Sequence, residues 1–390
     1  MVPPKPVAAG WTRRSILASL SLTGLAGAEG KGRVLPSEAR IYADPATEFP
    51  VQLMTDPAFA SHLPHPYCRA IGKRGAFVLF ASDRGARPQA FRLELKTGEL
   101  RQLTEAQALI PASLNILPDD KTFCYVDGRT VKLAPFSSLR DRDVYTVPEG
   151  WETGDGFCVS VDGVYAALVE KSASRSRLRL IGLARGSAQT LVESDGLLRH
   201  PQPRPKRASV LYQKEDSLWL VNYDGQGNQK LCQSLTSPGS AQWSPDGRTV
   251  LYLTEQDKRV IMREIVPDNR QDRLIAPTSQ FIGFAGNPDG SVLAGASRSL
   301  ASPYVLALVR SVRRELTLCE HKASDPAMVS PVWSPTSQRI YFQSDRHGKP
   351  AIYSVVVAGF FEKTNLDGED PEEKPKRPTS GPKKPAPATA

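Results

Sequence analysis

Hydrophobic and polar positions along this chain follow a repeat with a long period. A short polar turn recurs seven times, and the third residue of each copy lies at Arg74, Asp119, Asp162, Lys206, Asp246, Asp289 and Thr336. The spacings are 45, 43, 44, 40, 43 and 47 residues. Each turn precedes an apolar run of strand length, such as AFVLFAS, RTVLYLT or QRIYFQS, and a second strand-like run follows. Most units end with an outer strand, as in LRQLTE and NQKLCQS.

A period of 40 to 50 residues with several strands in each unit is typical of β-propellers, in which each sheet covers its neighbour around a central channel. The sequence therefore predicts an all-β fold, a seven-bladed β-propeller of four-stranded blades, over residues 40 to 360. The last unit has no outer strand after Val357, whereas the strand-like run from Pro50 to Thr55 has no unit of its own. We expect this N-terminal strand to complete the seventh blade and close the ring, which would remove exposed sheet edges.

The repeated turns and their tryptophans predict scaffold positions. In the Ser-Pro-Asp-Gly turn of AQWSPDG, proline fixes φ and glycine accepts a positive φ, which suits a hairpin. Trp243 and Trp333 occupy the same place in two units, so we expect them to pack between neighbouring blades.

The two ends of the chain differ from the repeats. Residues 1 to 28 contain Thr12-Arg13-Arg14-Ser15, an apolar stretch and Ala26-Gly27-Ala28, which predicts a twin-arginine signal peptide and export to the periplasm or the medium. The apolar stretch is about half of the roughly 20 residues that a spanning helix needs, so we expect no stable membrane span. Residues 361 to 390 contain six prolines among mixed charges, which predicts a disordered tail.

Charge and cysteine content narrow the classes of partner. The 390 residues include 50 Lys and Arg against 41 Asp and Glu, a formal charge of +9, of which the signal segment supplies three and the tail none. This excess favours an acidic partner such as a polyuronate or a phosphate, and a generally basic surface is the alternative. No dense basic and aromatic stripe indicates a nucleic-acid binder. Five cysteines without a CxxC pair indicate buried free thiols. One complete ring predicts a monomer.

Several segments carry a resemblance to a known family. Tyr42-Ala43-Asp44-Pro45, VQLMTD, His65-Pro66-Tyr67, LFASDRGARPQAFRLELKTGELRQLTE and VYTVPEGW together resemble the oligogalacturonate lyases, which are secreted or periplasmic seven-bladed propellers. The SPDG turns alone resemble TolB-like propellers more generally. In the lyase family, a divalent metal in the channel, a histidine base and an arginine carry out β-elimination on pectic oligomers.

The resemblance implies roles for a few residues. His200, in LRHPQPRP, matches the family's base, and a histidine at the surface or the channel mouth is the alternative. Arg177 matches the arginine that neutralises the substrate carboxylate, with Arg179 as the alternative because the strand register is open. His65 is expected either to contact substrate or to belong to a structural turn. Abstraction of a proton α to a carboxylate needs such a base and nearby positive charge.

The family's metal ligands do not carry over to this sequence. The family has a histidine where this chain has Ser240, and a glutamine and two histidines where it has Asp325, Met328 and Ser330. Serine and methionine are poor ligands for such a cation, which leaves Asp325 as the one metal ligand that the resemblance retains. We therefore expect the usual metal site to be absent, and manganese or another divalent cation only if the site survives in an altered form.

Two functions from different classes follow. The first is an exported propeller that binds acidic pectic oligosaccharides, with cleavage by β-elimination left open. The second is a non-catalytic TolB-like propeller that binds a protein or a glycan in the cell envelope, because the channel mouth of a propeller is a binding surface whatever its chemistry.

Overall fold

A computed structural model of the chain describes residues 30–85, 87–232, 234–236, 240–277 and 280–360. These residues form thirty strands, numbered β1 to β30 in chain order, and two 3-10 helices, Pro111–Ser113 and Pro326–Val329. The prediction of an all-β fold with little helix is confirmed. The predicted signal peptide and the predicted tail lie outside the described residues.

The strands form six hydrogen-bonded sheets. One of these has eight strands, and its two antiparallel halves, residues 152–194 and 198–232, are joined by a parallel pairing of Asp155 with Arg199. For description we name these two halves sheets 3 and 4, and we number the strand groups 1 to 7. Sheet 1 contains β4 (Ser61–His62), β5 (Phe77–Ser82), β6 (Gln89–Glu94) and β7 (Leu100–Gln102), with β1 (Val34–Leu35) at its outer edge. Sheet 2 contains β8 (Asn115–Ile116), β9 (Thr122–Asp127), β10 (Thr130–Pro135) and β11 (Arg142–Thr146). Sheet 3 contains β12 (Glu152–Val159), β13 (Tyr165–Lys171), β14 (Ser176–Gly182) and β15 (Ala188–Ser194).

The remaining sheets repeat this order. Sheet 4 contains β16 (Leu198–Pro203), β17 (Ser209–Lys214), β18 (Ser217–Asn222) and β19 (Gln229–Cys232). Sheet 5 contains β20 (Ala241–Trp243), β21 (Val250–Gln256), β22 (Arg259–Val266) and β23 (Gln271–Ala276). Sheet 6 contains β24 (Phe281–Gly286), β25 (Val292–Ser297), β26 (Tyr304–Val309) and β27 (Arg314–Glu320). Sheet 7 contains β28 (Val332–Trp333), β29 (Arg339–Ser344), β30 (Ala351–Val356), β3 (Pro50–Leu53) and β2 (Arg40–Ala43).

The polar turns join the first two strands of a sheet. Hydrogen bonds between the residues of each turn stabilise its conformation. In sheet 5, Asp246 Oδ1 accepts hydrogen bonds from Ser244 Oγ at 2.7 Å and from the backbone N–H of Arg248 at 3.0 Å. Gly247 has φ +73, and a Cβ at this position would overlap the backbone oxygen of Pro205. Only glycine fits this turn without strain.

Apolar side chains fill the spaces between neighbouring sheets. The described residues contain seven buried apolar clusters, and each joins two sheets. Six of them join sheets that follow one another, from sheets 1 and 2 to sheets 6 and 7. The seventh packs Val332 and Tyr341 of sheet 7 against Phe80 and Phe91 of sheet 1. Burial of apolar area on this scale is the main stabilising contribution to a fold without long helices.

The tryptophans and cysteines follow their predictions. Trp243 Nε1 donates to the backbone oxygen of Gln202 in sheet 4, and Trp333 Nε1 donates to that of Ala285 in sheet 6. Both therefore link neighbouring sheets, as predicted. All five cysteines are free thiols, and only Cys232 is not fully buried. Among the described residues, no helix is long and apolar enough to span a bilayer.

The N-terminal strands pair with the end of the chain. β3 lies antiparallel to β30, with Val51 opposite Val355 and Leu53 opposite Tyr353. Nearby, the buried Asp44 accepts a hydrogen bond from the backbone N–H of Glu320 at 2.9 Å. These contacts join the first and last parts of the described chain.

Candidate functional site

A cavity of about 340 Å³ lies where four parts of the chain meet. Its walls come from the loop before β5, with His65 and Tyr67, from the first strand of sheet 4, with His200, from the first strand of sheet 6, with Phe284, and from the second 3-10 helix, with Ala327. A largely apolar wall with a few grouped polar side chains is typical of sites for small ligands.

His200 has an unusual backbone and an unpartnered ring nitrogen. Its φ is +49, and the register of β16 against β17 shifts between Arg199 and Gln202, so a β-bulge holds the residue in the left-handed region. The imidazole is buried, and its Nδ1 lies 3.1 Å from Tyr67 Oη. Its Nε2 is buried and has no hydrogen-bond partner among the described residues. Strained backbones and unsatisfied buried polar atoms cluster at functional sites.

His65 packs directly against this histidine. Its ring stacks on Tyr67 with 4.9 Å between centroids, and it meets the ring of His200 edge-on at 5.1 Å. Burial lowers the pKa of His65 to about 4, and the neighbouring His200 adds to the shift while Asp155 opposes it. Burial also lowers the pKa of His200, against the charge of Asp155. Both imidazoles are therefore neutral at pH 7, and each carries a lone pair.

Asp155 reaches the two histidines because β12 is bulged. The register of β12 shifts between Thr153 and Phe157, and Asp155 pairs in parallel with Arg199 of sheet 4. Arg199 Nε lies 3.4 Å from Asp155 Oδ2. One ligand atom from each of His65, Asp155 and His200 lies within 4.8 Å of the others. The site thus contains two imidazoles, a carboxylate and a guanidinium.

Gly156 allows this close approach. Its φ is +134, and a Cβ here would overlap Pro201 Cδ and lie 2.9 Å from the backbone nitrogen of His200. Glycine inside a strand often marks such a contact between backbones.

Arg177 and Arg179 lie in a different environment from His200. Arg177 Nε donates to Glu170 Oε2 at 2.5 Å, and its guanidinium covers the ring of Trp151 at 4.0 Å. Arg179 Nε lies 3.9 Å from the other oxygen of the same fully buried carboxylate. Ser176 Oγ, one residue earlier on β14, accepts from the backbone N–H of Leu198. Because successive side chains of a strand point to opposite faces, Arg177 and Arg179 lie on the face of β14 away from sheet 4.

Asp325 lies beside the cavity, where it begins the second 3-10 helix. Its Oδ1 accepts from the backbone N–H of Ala327 at 2.9 Å, so this oxygen serves as an N-cap. Met328 packs against the apolar core between sheets 6 and 7. Ser240, Asp325, Met328 and Ser330 offer one carboxylate and no imidazole, so these residues do not fit the family's divalent metal.

The structure brings together only part of the predicted set. His65 and His200 share one cavity, and Asp325 caps a helix whose residues line it. Arg177 and Arg179 are paired with Glu170 instead, and the roles predicted for all five residues stay predictions. The sequence analysis did not select Tyr67, Asp155 or Arg199. The one signal for Asp155 is a glycine on each side of it, which indicates a bulge or a close approach of two backbones.

The sequence and structure comparisons with known proteins point to the same family. No protein-family model matches the chain. In sequence it is similar to the oligogalacturonide lyase of Pectobacterium atrosepticum, 22% identical over 383 residues, and to the oligogalacturonate lyase of Dickeya dadantii, 23% identical over 385 residues. Each match covers 84% of this chain and 98% of the relative.

The structural comparison agrees with the sequence comparison. The chain resembles the structure of an oligogalacturonate lyase in complex with manganese, with a TM-score of 0.78 and 22% identity over 84% of this chain and 98% of that one. The structural neighbours of this family are β-propellers. The resemblance predicted from the sequence is thereby confirmed, and the oligogalacturonate lyases are the family to which this chain is similar in both sequence and fold.

Proposed function

We propose that the protein binds acidic pectic oligosaccharides in the cavity beside His200 and cleaves them by β-elimination. The unpartnered Nε2 of His200 carries this proposal, because a buried imidazole nitrogen beside a cavity is free to accept a proton from a bound molecule. The similarity to oligogalacturonate lyases supports uronate oligomers as the substrate class.

In this proposal, Tyr67 and His65 keep His200 ready to act as a base. When Nδ1–H donates to Tyr67 Oη at 3.1 Å, the lone pair of the ring lies on Nε2. Burial lowers the pKa of His200, so the ring is unprotonated at neutral pH and available as a proton acceptor. The edge-on contact with His65 limits rotation of the ring.

The proposed reaction balances without a further reactant. His200 Nε2 takes the proton on the carbon α to the uronate carboxylate, and the electron pair of that C–H bond forms a double bond to the neighbouring carbon. The glycosidic oxygen leaves that carbon and takes a proton from water, while His200 releases the proton it took to water. The products are a shortened oligomer and an unsaturated uronate. Arg199 lies next to Asp155 and close enough to lower the pKa of His200, so its positive charge is available to the carboxylate as negative charge develops.

The test is the absorbance of the unsaturated uronate during incubation of the purified protein with trigalacturonate. We expect wild-type protein to give a rise and His200→Ala to lower its rate by at least about 100-fold. His347→Ala is the matched control, because His347 is exposed in the hairpin between β29 and β30, does not line the cavity, and hydrogen-bonds only to Tyr353 Oη among the described residues. Equal rates for the wild type and His200→Ala would reject His200 as the base.

Calorimetry with trigalacturonate separates binding from cleavage. Binding by the wild type without any rise in absorbance would reject the elimination step and favour the non-catalytic envelope protein instead. Absence of both binding and absorbance would reject pectic oligosaccharides as the ligand class.

We propose a ring of seven blades, closed by β3, as the framework of this site. The pairing of β3 with β30 and the apolar cluster between sheets 7 and 1 support closure. Removal of residues up to Met54 should then abolish cooperative unfolding, whereas an unchanged unfolding transition would reject closure. We also propose that the N-terminal signal exports the protein, which a secretion reporter tests. We propose that the protein is a monomer, which light scattering tests.

A further inference from the structure

Three neighbouring side chains, two of which line the cavity, have the donor atoms of a transition-metal site. His65, Asp155 and His200 each place one ligand atom within 4.8 Å of the other two. These residues come from the loop before β5, from β12 and from β16, so three separate parts of the chain meet at one point. None of them occupies the positions at which the related lyases were expected to hold their metal.

A second observation points to a ligand at the same place. His200 Nε2 is buried and unpartnered among the described residues, although most buried polar atoms in proteins are hydrogen-bonded. The backbone of the same residue is in the left-handed region, where a non-glycine side chain is rarely found. A bound cation would satisfy this nitrogen and give the strained conformation a function.

The surroundings fit a coordinating imidazole. Metal-bound histidines usually donate their other ring N–H to an oxygen, and Tyr67 Oη lies 3.1 Å from Nδ1 of His200. Arg199 Nε, 3.4 Å from Asp155 Oδ2, opposes a cation at this carboxylate and limits its affinity.

We propose that His65, Asp155 and His200 bind one divalent transition-metal cation of the zinc class. Two imidazoles and one carboxylate with an open fourth position form a known type of zinc site, and imidazole ligands favour zinc over manganese and magnesium. The site is distinct from Ser240, Asp325, Met328 and Ser330, whose side chains do not fit a metal.

Zinc at this site has a consequence that rests on the proposed function. If Nε2 coordinates a cation, its lone pair is unavailable, so His200 cannot accept a proton while the site is occupied. We therefore expect zinc to inhibit the elimination that EDTA-treated protein carries out. Zinc binding without inhibition of the elimination would support the metal site and reject His200 as the base.

Calorimetry without any oligosaccharide tests the site itself. Metal-free protein should bind Zn²⁺ at one site per chain, more tightly than Mn²⁺ and without measurable heat from Mg²⁺. Asp155→Asn and His65→Gln should each weaken zinc binding by at least about tenfold. His62→Gln, at the end of β4 and outside the cluster, is the matched control and should bind as the wild type does.

Two further measurements distinguish the loss of a metal ligand from misfolding of a variant. Zinc should raise the thermal midpoint of the wild type and of His62→Gln, and at the same zinc concentration it should raise that of Asp155→Asn by less. Cobalt bound in place of zinc should give a visible absorption band that Asp155→Asn lacks. Absence of zinc binding by the wild type, or equal binding by the wild type, Asp155→Asn and His65→Gln, would overturn the proposal.

Discussion

Replacement of Gly156 by alanine tests how the fold builds the site. Gly156 has φ +134, and an added Cβ would overlap Pro201 Cδ and lie 2.9 Å from the backbone nitrogen of His200. A positive φ costs a non-glycine residue about 1–2 kcal/mol, and overpacking costs about 1–3 kcal/mol. The two together predict a loss of about 2–5 kcal/mol in the free energy of unfolding, with β16 displaced at His200.

Gly150→Ala is the control that separates the two contributions. Gly150 also has a positive φ, +80, but a Cβ there would meet no atom within 4 Å. This variant should lose only the conformational part, about 1–2 kcal/mol. Urea unfolding measures both losses, and the trigalacturonate assay measures the displacement of His200, for which we expect a rate about 100-fold lower in Gly156→Ala. Equal unfolding midpoints for the two variants, with the rate of Gly156→Ala intact, would refute the reasoning.

Three further predictions concern residues away from the cavity. Arg177→Met should lower the free energy of unfolding in urea by about 1–3 kcal/mol, because it removes the partner of the Glu170 carboxylate. The elimination rate should stay within about twofold of the wild type, since the charge of Arg177 is paired with Glu170. A large loss of rate would establish the catalytic role expected from the resemblance. Burial lowers the pKa of His321 below 6.5. Its contribution to stability is therefore complete above that pH and is lost as the pH falls. The urea midpoint of the wild type should drop between about pH 7.5 and pH 5.5, and that of His321→Asn should drop less. Trp333→Phe should cost about 1–3 kcal/mol in the same assay, because the backbone oxygen of Ala285 loses its donor; an unchanged midpoint would contradict a role in linking the sheets.

The repeats made the fold predictable because each unit carries its own local signals. The polar turn and the strands after it have residues whose conformational preferences agree with the sheet they form, and seven copies reinforce one another. The pairing of β3 with β30 follows from counting strands, since the run from Pro50 had no unit and the last unit lacked a strand. Trp243 and Trp333 were predictable for the same reason, because equivalent places in a repeat have equivalent neighbours.

The site was only partly predictable because its geometry depends on strand register and bulges. His65 and His200 lie 135 positions apart in the chain, and only the resemblance indicated both of them. The face on which Arg177 lies changes with a shift of a single residue, which no local signal determines. Asp155 reaches the histidines through a bulge in β12, and the glycines beside it indicate the bulge without indicating its partner.

The most direct test of the central claim is an NMR titration of the histidine rings with trigalacturonate. The chain has five histidines, so ¹⁵N-labelled imidazoles give a spectrum with one set of signals per residue that single substitutions can assign. We predict that trigalacturonate shifts the signals of His65 and His200 and leaves those of His62, His321 and His347 in place. Saturable binding that leaves His65 and His200 unchanged would contradict the cavity as the site of function.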